Sequence, residues 1–143
     1  MDRMRHTLPA LAEVEEAFEF LDDWEDRYRY IMDLGAKLAP LPDADRIEAN
    51  LVHGCQSTVW VVLRQVAGDV QLGATSDSGL VKGLAALVVI ALQGKTAPDI
   101  VHFDLNEFFG RLHLHEHLSP TRSNGLHGMI RQVRTRAAEM VAN

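Results

Sequence analysis

Apolar residues return every three or four positions at the start of the chain. Leu11, Val14, Ala17, Phe18 and Leu21 form one face, with acids on the other, which predicts an amphipathic helix. Trp24, Tyr28, Ile31, Met32, Gly35 and Leu38 repeat the pattern, so a second helix is expected to run to about Ala39, stopped by Pro40 and Pro42. Only Asp22 and Asp23 separate the two, a spacing that suits a cap. The period then changes. Val59-Trp60-Val61-Val62-Leu63 is a β-branched and aromatic run, and the turn Ala67-Gly68-Asp69 leads into Val70-Gln71-Leu72. That predicts an antiparallel hairpin, with a shorter strand over Arg46 to Val52 leading up to it.

Ser76-Asp77-Ser78 offers N-cap candidates for a run that is apolar on every side as far as Leu92 and ends at Gly94. A helix of that kind belongs at the centre of the core. Short helical turns are expected from Pro98 and over Asn106 to Leu112. Ser119-Pro120 then reads as a cap followed by proline at the first helical position, before a face of Leu126, Met129, Ile130, Val133, Ala137 and Met140. The expected fold is α+β: a small antiparallel sheet of about three strands covered by helices, in a single domain spanning residues 1–143, with residues 1–10 a flexible N-terminus.

Composition narrows the function. A chain of 143 residues with 47% hydrophobic and 24% charged residues has the balance of a folded globular protein. Its net charge of −6 argues against nucleic acid and against anionic membrane surfaces as partners. The charge is uneven, with eight acidic residues from Glu13 to Asp26 and arginines at 122, 131, 134 and 136 near the end. The first residues lack the apolar stretch and cleavage site of a signal peptide, and the uncharged run Leu84–Leu92 is far short of the ~20 residues a membrane span needs. With one cysteine there is no internal disulfide and no all-cysteine metal site, which fits a reducing cytoplasm.

That cysteine, Cys55, lies in His53-Gly54-Cys55-Gln56-Ser57, between two predicted strands and with polar neighbours on both sides. Gly54 allows backbone angles that place a side chain at a loop tip. Three uses of such a thiol stay open. The first is a small structural hydrophobe in a binding module. The second is a nucleophile with His53 as base, in a cysteine hydrolase or a peroxidatic enzyme, although a separation of two residues on a loop makes a poor dyad on spacing alone. The third is a carrier of transferred sulfur, chemistry that needs a thiolate and no second cysteine. A redox exchanger would want a resolving cysteine, and one thiol cannot hold an iron–sulfur cluster.

Longer motifs bear on the choice. His53-Gly54-Cys55-Gln56-Ser57 with Val59-Trp60, then Ser76-Asp77-Ser78 with Val81-Lys82-Gly83-Leu84, then His117-Leu118-Ser119-Pro120-Thr121-Arg122-Ser123-Asn124-Gly125-Leu126 resemble the three ordered motifs of the SufE-type sulfur acceptors, a likeness extending from about Phe20 to Met140. The resemblance implies a relative of the iron–sulfur scaffold fold that docks on a pyridoxal-phosphate (PLP) dependent cysteine desulfurase. It implies that Cys55 accepts the persulfide sulfur, that the desulfurase turns over faster, and that sulfur passes on to a cluster-assembly scaffold. It implies no bound cofactor, only a covalent persulfide, and a thiol that rests against the body and swings out on docking. It also puts His53, Gly54, Gln56, Asp77, Arg122 and Asn124 on the loop or thiol-facing surface. From the residues alone, Asp77 reads as a helix N-cap, Lys82 as a snorkelling lysine, and Arg122 as a first-turn cation able to favour an anion. His113, His115 and His117 alternate, and would share a face, as metal ligands must, only on a strand.

Overall fold

A computed structural model describes residues 6–142. Seven helices and one hairpin follow in the order α1 (Leu11–Phe20), α2 (Trp24–Ala36), β1 (Val59–Val66), β2 (Asp69–Ser76), α3 (Gly79–Leu92), α4 (Ala97–His102), α5 (Leu105–Arg111), α6 (Leu114–His117) and α7 (Pro120–Ala142). No helix among the described residues is long and apolar enough to cross a membrane.

The class is α+β as expected, but the sheet has two strands rather than three. Arg46 to Val52 forms no strand. Single 3-10 turns occupy Asp43–Asp45 and Glu48–Asn50, and the segment meets β1 only at its end, through the Leu51–Trp60 bridge and the Val52 N–H bond to Val59 O. The amides of Asn50 and Leu51 turn back to Ile47 O and Glu48 O, and α7 meets the carbonyls that remain. Gln132 Nε2 donates to the carbonyls of Asn50 (3.0 Å) and Val61 (3.3 Å), groups that a third strand would have paired. Arg136 donates to the carbonyl of Ala49, and Arg64 reaches Asp45 at 2.8 Å. Side chains therefore fasten this segment where a ladder was expected. The hairpin itself runs longer than the Val70–Leu72 return predicted, in register from Val59 opposite Ser76 to Val66 opposite Asp69. Its turn has positive φ at both Ala67 (54°) and Gly68 (90°), the twist that suits a two-residue connection.

At the centre lies α3, buried over Leu84–Leu92 and packed against α2, both strands and α7. Where α2 and α3 cross, Gly35 faces Gly83 with their backbones in direct contact. α2 ends at Ala36, short of Ala39, and Leu38 still buries its side chain. At the junction of α1 and α2, Asp23 caps α2 by accepting from Glu25 N–H. Arg27 donates to the carbonyls of Phe18 (2.8 Å) and Leu21 (2.6 Å), satisfying the open end of α1, while its guanidinium lies over Phe18 and Trp24.

Of the first ten residues, expected to be flexible, residues 1–5 lie outside those described. His6 is held at two points. Its Nδ1 accepts from Ala39 N–H at 2.9 Å, so Nε2 carries the hydrogen donated to the Leu72 carbonyl at 2.8 Å.

Candidate functional site

The strand-to-strand segment that carries Cys55 is shaped from both ends. Val52 is buried and its N–H donates to Val59 O at 2.8 Å, which closes the base of the loop. Gly54 takes φ of +84°, a left-handed conformation that strains any side-chain-bearing residue, and turns the chain so that Cys55 faces the protein. On the far side, Thr58 N–H donates to Asp77 Oδ1 (3.1 Å), and Asp77 N–H donates to Thr58 O (3.2 Å). Asp77 is therefore not the cap of α3. Ser78 fills that place, accepting from Val81 N–H, and frees the Asp77 carboxylate to pin the loop.

Because one charge-assisted hydrogen bond is worth about 1.5–3 kcal/mol before solvent exposure reduces it, Asp77→Ala should loosen the loop without unfolding the core. The expected result is amide exchange at Thr58 faster by roughly tenfold, with the amides of α3 unchanged. Unchanged exchange at Thr58 would show that Asp77 does not hold it.

The loop rests on α7. A Cβ on Gly125 would stand 2.7 Å from Cys55 Sγ, and one on Gly128 would stand 3.0 Å from Val52 Cγ1 and 3.1 Å from His53 O. These two glycines, one turn apart, make the seat on which the thiol and the loop backbone lie. Cys55 is half-buried there and packs against the hydrophobic core. Arg122 is exposed one helical turn before Gly125, so it lies near the thiol's end of the same face. It also borders a groove of about 440 Å³ with Tyr28, Met32, Ser78, Leu80 and His117. Gln56, Asn124 and His53 are all exposed. Lys82 is half-buried within α3, as snorkelling requires.

His53 does not face Cys55. Its Nε2 points to Glu48 Oε1 at 3.7 Å, and among the described residues no hydrogen bond joins the two side chains. The alternating histidines part company as well. His113 takes a left-handed backbone (φ 58°) that separates α5 from α6, and its ring faces Glu116 at 3.3 Å. His115 lies beside His127, while His117 stacks on Trp24 with ring centres 3.8 Å apart and accepts at its carbonyl from Tyr28. Among the described residues no three His, Cys, Asp or Glu side chains converge on a common metal position.

The SufE family model, described as an Fe-S metabolism associated domain, matches residues 12–137. The chain belongs to the SufE family. A role connected with iron–sulfur metabolism follows from that membership. A solution structure of a hypothetical protein from Thermus thermophilus shares the fold, with a TM-score of 0.76 at 24% identity, over 93% of this chain and 96% of that one. In this SufE-family chain, spacing singles out the cysteine and its loop, whereas it gives no role to Gly128 or Thr58 and makes Val52 only the end of an expected strand. Their signal was present only as a small residue one turn after Gly125 and an apolar residue before the loop, patterns too common to select.

Proposed function

We propose that this protein is a sulfur acceptor and carrier, with Cys55 as the group that is loaded. The observation that carries the reading is the placement of the only thiol. It sits at the tip of a short loop, closed at its base by backbone bonds and Asp77, and lies on a glycine seat from which rotation of a single side chain can release it. A core cysteine would have no need of such a loop, and a hydrolase would need a base that His53, turned to Glu48, does not offer.

In the proposed reaction a PLP-dependent cysteine desulfurase presents a persulfide on its own cysteine. The Cys55 thiolate attacks the outer sulfur. The partner's S–S bond breaks, a new S–S bond forms at Cys55, and the partner's cysteine leaves as the thiolate that can accept a proton. No external oxidant or reductant enters the step. Removal of the persulfide frees the desulfurase for another cycle, which accounts for stimulation, and Cys55 then gives the sulfur to an iron–sulfur assembly scaffold. The protein turns over no small molecule itself, and binds no cofactor beyond the covalent persulfide. A cytoplasmic setting, which keeps a lone thiol reduced, suits the chemistry. Arg122 and Asn124 of the third motif, with Gln56 beside Cys55 in the first, are assigned to the docking and thiol-facing surface.

The test is intact mass after incubation with a desulfurase, PLP and free cysteine. Wild type should gain one sulfur and Cys55→Ser none, while His53→Ala should gain sulfur at close to the wild-type level. No gain on wild type with the thiol shown to be free would remove the carrier reading, and loss of the gain in His53→Ala would return His53 to the chemistry.

A further inference from the structure

The flank of α7 turned toward α5 carries a second cluster of polar groups. Asn106, His127, Ile130, Arg131, Arg134 and Thr135 line a hollow of about 310 Å³. Apart from Ile130, every one of these side chains carries a hydrogen-bond donor, and none is acidic. The chain is acidic overall, yet the guanidinium groups of Arg122, Arg131 and Arg134 meet no carboxylate or carbonyl among the described residues. Arg29, Arg64, Arg111 and Arg136 each face a carboxylate, and Arg27 and Arg46 are bonded to backbone carbonyls. Arg131 and Arg134 have neither kind of partner among the described residues. Nε of Arg134 is moreover buried without any hydrogen-bond partner. Burying part of a guanidinium with an unmet donor costs on the order of 1–3 kcal/mol, and because this Nε is closed to solvent a ligand in the hollow reaches it only by shifting the side chain.

We infer that this hollow is a binding site for the phosphate group of a small molecule. Positions 127, 131 and 134 follow one another at four and three residues, so the imidazole and both guanidinium groups share one helix face. Asn106 adds an amide and Thr135 a hydroxyl at the border. A phosphate suits this set better than a carboxylate. It presents three or more oxygens in different directions and up to two charges, and so can engage both arginine forks together with the smaller donors. A carboxylate has two oxygens in one plane and is satisfied by a single fork. The hollow is too small for a nucleic-acid groove and the net charge of −6 opposes a polyanion, which leaves a small phosphorylated ligand. The site adjoins the glycine seat, since a Cβ on Gly128 would stand 3.9 Å from Arg131 Nη2, but Gly125, against which the thiol rests, is not part of its lining. Phosphate binding here requires no sulfur transfer at Cys55.

The test follows the arginine Nε–H signals by NMR during titration with inorganic phosphate and with pyrophosphate at constant ionic strength, with Arg134 assigned from its loss in Arg134→Lys. A saturable shift of the Arg134 signal is expected. Arg134→Met and Arg131→Gln should each weaken the binding by about tenfold or more, since a charge-assisted contact is lost, while Arg136→Gln should leave it unchanged. A response that never saturates, or that matched sodium chloride or acetate reproduces, would overturn the site. So would saturable binding that survives both substitutions in variants whose thermal unfolding shows that they are folded.

Discussion

Gly83→Ala should destabilise the protein by about 2–4 kcal/mol, although alanine is the better helix former by about 1 kcal/mol. The added Cβ would stand 2.3 Å from Ile31 O, 2.6 Å from Ile31 Cγ2 and 2.7 Å from Ile31 C. Two of these three atoms belong to backbone, so no side-chain rotation relieves the clash, and α2 and α3 must separate. The reverse approach is as close, since a Cβ on Gly35 would lie 2.7 Å from Gly83 N and 2.9 Å from Lys82 C. Separation is expensive because α3 is the buried centre of the core, and moving it disturbs its contacts with both strands and α7 as well. For a chain of this size the loss corresponds to a fall of about 10 °C in the midpoint of thermal unfolding. A midpoint equal to or above that of wild type would show that the two helices have slack at this crossing.

Gly125→Ala should act on the thiol and spare the fold. At 2.7 Å from Sγ, the new Cβ excludes the resting sulfur, but here the obstructed atom is the end of a side chain and can rotate away. Crowding of this kind costs about 1–3 kcal/mol, and 1.4 kcal/mol is a tenfold change in population. The thiol should therefore spend more time turned out, and alkylation of the native protein by iodoacetamide should quicken by about tenfold with little change in thermal unfolding. Under the proposed function, the same variant should also take up sulfur from a desulfurase more readily. An unchanged alkylation rate would mean that the seat does not restrain the thiol. The two glycines differ in what they face: Gly83 meets backbone and fixes a helix crossing, whereas Gly125 meets a movable sulfur and sets its exposure.

Much of this arrangement was legible in the order of residues. The apolar faces of α1, α2 and α7, the uniformly apolar α3 and the Ala67-Gly68 turn all report local preferences, and each is found where spacing placed it. Cys55 at the tip of a polar, glycine-bearing loop was equally plain, and its motifs identified the family that residues 12–137 match. These features depend on periodicity, caps and turns, which act between residues a few positions apart. What spacing could not supply were contacts between distant segments. In place of a third strand, the amides of Asn50 and Leu51 turn back to Ile47 O and Glu48 O, and Gln132, on the last helix, binds the carbonyls of Asn50 and Val61. Asp77 passed from helix cap to loop clamp because Ser78 was the better-placed cap and Thr58 came within reach. The three alternating histidines were dispersed by the left-handed turn at His113 and by the stacking of His117 on Trp24. The glycine seat beneath Cys55 belongs to the same class. Local sequence determined that a thiol would stand at a loop tip, but only tertiary packing decided what it rests on, because a missing Cβ has meaning only opposite the atom that fills its space.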